Sequence, residues 1–291
     1  MRIWLSLVRL RQWNKQALII LPLIALGDSV RVSDLGRLIW IALAFSFVAS
    51  SVYVLNDLQD MPLDKLDPVK SRRPLAAGEI SALAGGLVGF LLFLTGCIIA
   101  FTATDKTNRL QVMSLFLVYL ASNLVYSIFH LKRVRIIGLI LVSHGFAIRF
   151  SIGTFVLDLE FSTWAFVLII LLTMFMLSGK RFQTFLRSSP TESREREFQF
   201  WLLSMVTFGA FFAATYSGFI SDPEVVAVWG KEALIFSVLP LGIGLVRFVE
   251  LVIHTEKYLD TDVTEGMTKD LLLLSLVLIF SLILFMGRLN A

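Results

Sequence analysis

Asn56-Asp57-Leu58-Gln59-Asp60-Met61-Pro62-Leu63-Asp64 follows directly on an apolar run from Leu35 to Leu55, and Asp67 closes the acidic stretch. This junction decides how the chain is read. The apolar run is long enough to cross a bilayer as a helix, so the carboxylates behind it stand at the membrane surface. Asp57, Asp60 and Asp64 recur at i, i+3 and i+7, the spacing of one helix face. Like charges stacked there repel each other unless a cation binds. Mg²⁺ favours carboxylate oxygens shared with substrate phosphates. The junction therefore predicts an all-α membrane protein with a Mg²⁺–diphosphate site at its surface. Asp57, Asp60 and Asp64 are the expected metal ligands, and Asn56 the hydrogen-bonding neighbour. Pro62 lacks a backbone N–H, which predicts a kink that puts Asp57 and Asp60 on one segment and Asp64 and Asp67 on the next.

Composition agrees. Hydrophobic residues make up 57% of the 291-residue chain and charged residues only 16%, and the mean hydropathy is +0.80. These values exclude an ordinary soluble domain and indicate a polytopic membrane protein. Apolar segments fall at 16–26, 35–55, 80–103, 110–130, 136–157, 161–178, 198–220, 233–253 and 270–287. The first extends back through Trp13. They predict nine transmembrane helices in one domain spanning 1–291, because every backbone amide in lipid needs an internal partner. The short alternating segments of a barrel are absent. Cys97 is the single cysteine, which excludes an internal disulfide and a cysteine metal site. Arg9, Arg11 and Lys15 break any signal-peptide core, so residues 1–15 are expected to lie along the interface rather than be cleaved.

Lysine and arginine alternate between the loops. One side carries Arg2, Arg9, Arg11, Lys15, Lys65, Lys70, Arg72, Arg73, Lys132, Arg133, Arg135, Lys180, Arg181, Arg187, Arg194, Arg196, Lys257 and Lys269; the other carries Arg31, Arg37, Lys106, Arg109, Lys231 and Arg288. The bias predicts a cytoplasmic N terminus and a cytoplasmic aspartate-rich segment. Arg149 and Arg247 fall inside apolar runs. A charge at membrane depth is costly unless paired or hydrated, so both are expected to face a polar cavity and to contact phosphate. His144, off the helix face of Arg149, is expected to be a packing residue.

The string N-D-x-x-D-x-x-x-D, followed by Arg72-Arg73-Pro74-Leu75-Ala76-Ala77-Gly78, resembles the first aspartate-rich motif of UbiA-type intramembrane prenyltransferases. That resemblance implies a nine-helix bundle with a cytoplasm-facing cavity, and Mg²⁺ chelated to a donor diphosphate. Such enzymes usually carry a second acidic motif after the sixth helix. Here the corresponding stretch reads Ser178-Gly179-Lys180-Arg181-Phe182-Gln183-Thr184-Phe185-Leu186-Arg187, with no aspartate. Cations bind phosphate directly, arginine as a bidentate fork and lysine as a point charge. A substrate pair with more phosphate groups is thereby favoured over a prenyl diphosphate donor.

The departure is similar to one branch, the decaprenyl-phosphate phosphoribosyltransferases. Arg9-Leu10-Arg11-Gln12-Trp13-Asn14-Lys15 resembles that branch's R-P-R-Q-W-x-K opening, Asp67-Pro68-Val69-Lys70-Ser71-Arg72-Arg73-Pro74 its basic tail, and Gly179-Lys180-Arg181-Phe182 its G-K-R-Y. Ser143 to Arg149 is similar to its S-x-x-x-x-I-R stretch. The resemblance implies Mg²⁺-dependent transfer of 5-phosphoribosyl from phosphoribosyl pyrophosphate to a polyprenyl phosphate at the plasma membrane. The expected partners are these two substrates and the membrane, with no nucleic acid, and trimeric assembly is implied by the branch. Arg11, Lys15, Lys70, Arg73, Tyr126, Lys132, Arg149, Lys180, Arg181 and Arg247 are the expected phosphate-binding set. Two other readings remain open: a prenyltransferase acting on an aromatic acceptor, and a non-enzymatic lipid transporter. The acidic loop with Asp260, Asp262, Glu265, Lys269 and Asp270 either completes the donor site or serves as a lid hinged at Gly266.

The charge bias has a direct test. In a Cys97→Ser background, a cysteine placed at Ser71 or Ser188 is expected to react with an impermeant thiol reagent only from the cytoplasmic side. A cysteine at Lys106 or Lys231 should react only from outside. The opposite pattern would move the site across the membrane.

Overall fold

The computed structural model describes residues 2–129, 131, 134–186, 192–254, 267 and 269–291. Lys132, Arg133, Arg187, Ser188, Lys257 and the acidic stretch 260–266 lie outside them. Every regular element among the described residues is helical. The helices are α1 (Arg2–Val8), α2 (Ala17–Ile20), α3 (Val32–Asp64), α4 (Ala82–Ala103), α5 (Arg109–Ile128), α6 (Arg135–Val156), α7 (Thr163–Leu186), α8 (Glu192–Ser221), α9 (Pro223–Trp229), α10 (Lys231–Ile253) and α11 (Leu271–Asn290).

Eight of these helices, α3 to α8 together with α10 and α11, are long and apolar enough to cross a membrane. The ninth expected span, 16–26, takes a different form. Leu10–Gln16 and Leu21–Ser29 are 3₁₀ helix, and only Ala17–Ile20 is α-helical. Pro22 brings no amide hydrogen to this segment, and Gly27 turns the backbone to φ 58°. Both features work against a continuous α-helix there.

The chain divides into two compact units, one of residues 1–23 and 30–161, the other of residues 24–29 and 162–291. In the first, α3 lies along α4. Gly89 and Gly96 of α4 are required by this packing. A Cβ at Gly96 would stand 2.6 Å from the Ala44 carbonyl oxygen, and one at Gly89 would stand 3.2 Å from Val54. Arg31 caps the start of α3, and its amide donates to Asp34 Oδ2 at 3.1 Å. The helix runs without interruption for 33 residues to Asp64. Pro62 lies inside it, two residues from its end. A proline that near the C-terminal end forfeits one hydrogen bond without splitting the helix, so the expected division of the aspartates between two segments does not occur.

A small core pins the ends of the first unit. Leu7, Val54, Leu75 and Ile80 are buried together, with Leu58, Ala84 and Val88 packed against them. It holds the N-terminal helix and the Arg72–Gly78 segment against α3. The exposed side of α1 shows Ile3, Trp4 and Leu5, an apolar edge suited to an interface.

In the second unit, Tyr216, Phe219, Val225 and Leu234 form a buried cluster. Asp222 caps α9 and accepts from Trp164 Nε1 at 3.0 Å. The Trp164 indole, followed by the α9 backbone amides, holds the Asp222 carboxyl below the usual carboxylate range.

At Gly153, α6 closely approaches α2. A Cβ on Gly153 would collide with the carbonyl oxygen of Ile19. Gly153→Val is expected to lower stability by about 1–3 kcal/mol, the usual range for overpacking, read as a lower unfolding temperature in detergent. Gly242→Ala, where a Cβ meets open space, is the control and should leave that temperature unchanged.

Candidate active site

Asp57 and Asp64 lie two turns apart on α3, and both carboxylates are buried, at 5% and 4% side-chain exposure. Arg73 links them. Its Nη1 donates to Asp57 Oδ1 at 3.0 Å and to Asp64 Oδ2 at 2.7 Å. Arg9 Nη2 donates to the same oxygen of Asp57, and its guanidinium lies 5.0 Å from the centre of the Tyr53 ring. Two buried anions are thus balanced by two guanidiniums. Breaking such a balance on one side leaves a desolvated charge with no partner.

Local structure explains how both arginines arrive. Arg9 ends α1 with φ 55° and ψ 51°, a left-handed conformation that side-chain-bearing residues rarely adopt. Leu7, two residues earlier, is anchored in the core cluster, so the turn at Arg9 is held in place. Arg73 lies two residues before Leu75 of the same cluster. Asp67 shapes the loop that carries Arg73. Its Oδ1 accepts from the amides of Val69 and Lys70, each at 2.9 Å. These bonds, the Lys70 amide first, hold the Asp67 carboxyl below its ordinary value. Asp67 is therefore a turn-builder.

Deeper in the same unit a second polar set follows. Trp13 Nε1 donates to Ser50 Oγ at 3.1 Å, and Ser50 Oγ donates to the Val8 carbonyl at 2.8 Å. Arg149 is buried. Its Nε donates to Gln16 Oε1 at 2.7 Å, Nη1 to the Gly145 carbonyl, and Nη2 to Tyr119 Oη at 3.4 Å. Its guanidinium lies within 5.4 Å of the ring centres of Phe45, Tyr119 and Phe146.

The structure brings Asp57, Asp64 and Arg73 together and adds Arg9, which the expected site omitted. The signal for Arg9 was present, since it opens the R-x-R-Q-W-x-K stretch. Among the described residues no three His, Cys, Asp or Glu side chains are grouped to hold a metal. The expected trio is thus a buried pair, with Asp60 and Asn56 half-buried on the same helix. The donor chemistry still suits Mg²⁺, which binds through one or two carboxylates and completes its shell with water and phosphate. Asp57 and Asp64 already share one cationic nitrogen.

The expected phosphate-binding residues are placed variously. Arg11 and Lys70 are exposed, and Lys70 Nζ lies 4.0 Å from Asp67. Lys15 is half-buried with its ammonium 5.9 Å from the Phe146 ring centre, and Tyr126 is half-buried. In the second unit, Lys180 is half-buried and Arg181 exposed on α7. Both intramembrane arginines have protein partners. Arg149 takes the partners just given. Arg247 donates from Nε and Nη2 to Asp270 Oδ2 at 3.2 and 2.7 Å, and from Nη1 to Glu250 at 2.7 Å. Asp270 in turn caps α11 by accepting from the Leu273 amide. An internal ion pair is the cheapest way to keep a guanidinium at membrane depth.

Among the described residues, helices alone, eight candidate spans and a buried aspartate–arginine cluster at the end of one span define an intramembrane helical protein with an ionic site. The chain belongs to the UbiA prenyltransferase family, whose model matches residues 18–257. It is 33% identical over 179 residues to a decaprenyl-phosphate phosphoribosyltransferase of Mycobacterium tuberculosis, covering 60% of this chain and 57% of that protein. It is 31% identical over 194 residues to the protein so named in Mycolicibacterium smegmatis, covering 65% and 59%. The matched region thus spans just under three fifths of these relatives. A UbiA homologue from Archaeoglobus fulgidus, solved bound to GPP and Mg²⁺, shares the fold with a TM-score of 0.64 at 15% identity, over 99% of this chain and 100% of that one.

Arg73→Gln should expose the dependence of this cluster on its bridge. Arg73 is 31% exposed, so the loss falls below the fully buried limit, at about 1–3 kcal/mol. Arg73→Gln combined with Asp64→Asn removes one charge of each sign and should recover part of it. Thermal unfolding of the single and double variants measures the coupling. Additive losses would show that the bridge carries no energy.

Proposed function

We propose that this protein transfers the 5-phosphoribosyl group of phosphoribosyl pyrophosphate to a polyprenyl phosphate of the decaprenyl type, releasing pyrophosphate, at the cytoplasmic face of the plasma membrane. The observation that carries the reading is the single guanidinium nitrogen shared by the buried carboxylates of Asp57 and Asp64. Two carboxylates held around one positive charge form a cation site next to a membrane surface. The names of the relatives point to phosphoribosyl transfer. So does the cationic Gly179-Lys180-Arg181-Phe182 stretch, which stands where a prenyl diphosphate enzyme would carry carboxylates.

Asp57 and Asp64, with Asp60 on the same helix, would hold Mg²⁺. When bound, the ion supplies neutralisation of the charge that develops on departing pyrophosphate. Arg9 and Arg73 balance the carboxylates. Released from them, they would be positioned to take phosphate oxygens, for which a planar fork is well suited. Lys180 and Arg181 are assigned to phosphate as well. In the reaction the bond from C1 of the ribose to pyrophosphate breaks, and a bond from C1 to an oxygen of the lipid phosphate forms. Departure passes through an oxocarbenium-like state, as in other glycosyl transfers. The lipid phosphate is already anionic, so the reaction calls for orientation and exclusion of water more than for a general base.

Membranes containing the protein should convert labelled phosphoribosyl pyrophosphate and polyprenyl phosphate to lipid-linked product. Chelation should stop the reaction and added Mg²⁺ restore it. Asp57→Asn, Asp60→Asn or Asp64→Asn should cost about a hundredfold or more in turnover, the scale of lost charge stabilisation in metal sites. Lys180→Ala and Arg181→Ala should each cost about 10- to 100-fold in kcat/KM, as expected for charge-assisted contacts to phosphate. Arg181→Lys should recover part of that loss. Turnover within threefold of wild type in all three aspartate variants would remove the metal assignment. Use of geranyl diphosphate with an aromatic acceptor instead would install the prenyltransferase reading.

A further inference from the structure

In the second unit an apolar groove runs between α10 and α11. Phe236, Leu239 and Ile243 of α10 line one side, and Ile279, Leu282 and Met286 of α11 line the other. Both sets recur at helical spacing, so each helix gives one face to the groove. Its mouth lies where α10 begins and α11 ends, and there the lining turns polar, with Lys231, Glu232 and Asn290. Beside the mouth the two helices meet tightly, since a Cβ on Gly287 would stand 2.3 Å from the Ala233 Cβ.

The groove has a volume of about 850 Å³, the scale of a small-molecule site. From Lys231 to Ile243 it follows α10 for about 18 Å, at a rise of about 1.5 Å per residue. That is slightly more than half of a hydrocarbon core of about 30 Å, so the groove runs the depth of one leaflet. Its mean cross-section is about 47 Å². A second helix, about 10–12 Å in diameter, does not fit such a section, whereas an extended hydrocarbon chain does. At the mouth two opposite charges stand side by side. Neither the Lys231 nor the Glu232 side chain has a hydrogen bond or ion pair among the described residues. Lys231 opens α10, at the positive end of the helix dipole, where a cation is disfavoured and an anion welcome. Arg288, near the end of α11, already donates to the Ala25 carbonyl at 2.8 Å. Asn290 Nδ2 donates to the Met286 carbonyl, which leaves its side-chain oxygen to accept.

We propose that this groove binds an acyl chain of a phospholipid whose headgroup is a primary-amine zwitterion, with its phosphate on Lys231 and its ammonium on Glu232. The charges decide the occupant. A headgroup with phosphate alone would match Lys231 and be repelled by Glu232. A headgroup carrying both signs matches both residues. A primary ammonium also brings N–H donors for Glu232 and for the Asn290 oxygen, as a lysine ammonium does, and a quaternary ammonium brings none. The lipid substrate proposed above is a phosphate without an amine, so it lacks the group that Glu232 would hold. Lys231 belongs to the sparsely basic side of the chain, expected to be external, and the aspartate-rich segment to the basic, cytoplasmic side. The groove is therefore a resident-lipid site, and it does not depend on the phosphoribosyl reading.

The test titrates the delipidated full chain in detergent with phosphatidylethanolamine, phosphatidylglycerol and phosphatidylcholine of identical acyl chains, and counts retained lipid by native mass spectrometry. Wild type should retain phosphatidylethanolamine with an apparent affinity about two- to fivefold above the other two, the scale of one exposed ion pair. Glu232→Gln should remove that preference. Lys231→Gln should weaken all three lipids by a similar factor, since all carry the phosphate. Leu239→Trp and Leu282→Trp, at exposed positions in the groove, should abolish retention of every lipid by filling it. Leu278→Trp, exposed on the same helix but outside the groove, should leave retention unchanged. Equal retention of the three lipids by wild type, or a preference for phosphatidylglycerol, overturns the proposal. Retention unchanged in both groove-filling variants also overturns it, because the lipid is then only the general coat of the bundle. An oligomer of wild type that Leu282→Trp disperses, with no lipid retained, gives the groove to a second copy and overturns it as well.

Discussion

One guanidinium between two buried carboxylates sets the terms for the first unit. Asp57 and Asp64 face inward on α3, where a lone negative charge is expensive. The structure meets this cost with chain brought from both directions. Arg9 comes from the N-terminal segment and Arg73 from the loop after α3, and both approaches are fixed by the same cluster around Leu7 and Leu75. Packing thereby serves electrostatics. The apolar contacts position two cations, and the cations permit the helix to end on buried anions.

How much of this is legible in the sequence varies with the physics involved. Apolar periodicity and length give the spans, because lipid demands internally bonded backbone. The uncharged stretch from Leu38 to Leu55 and the aspartates behind it locate the ionic site for the same reason. The aspartate spacing does not show that Asp60 stays apart from Asp57 and Asp64, nor that an arginine nine residues beyond Asp64 bridges them. Those facts depend on how a loop folds back. The effect of Pro62 depends on its distance from the helix end, which no local rule supplies. The partners of Arg149 and Arg247, Gln16 and Asp270, lie far from them in the chain. A burial cost predicts that a partner exists but not which one. The run at 16–26 is apolar enough to suggest a span, yet Pro22 and Gly27 favour a tighter helix there.

The left-handed turn at Arg9 links the two levels. A strained backbone at a functional position persists only when its neighbours over-determine it. Here Leu7 on one side and Trp13, bonded to Ser50, on the other supply that constraint. The N-terminal segment thus acts as a strap across α3 whose ends are fixed by packing and whose middle delivers a charge.

The length of α3 has a further consequence. At 33 residues it is about 50 Å long, from the helical rise of about 1.5 Å per residue. Its uncharged stretch from Leu38 to Leu55 would fill most of a hydrocarbon layer of about 30 Å, so Asp57 stands close to the boundary between acyl chains and headgroups. Hydrophobic mismatch then acts directly on the ionic cluster. A thicker bilayer would draw the carboxylates toward hydrocarbon and tighten their hold on Arg9 and Arg73. A thinner one would lift them into water and loosen it. If the aspartates take a metal ion as proposed, bilayer thickness would set how readily Arg9 and Arg73 give way to it.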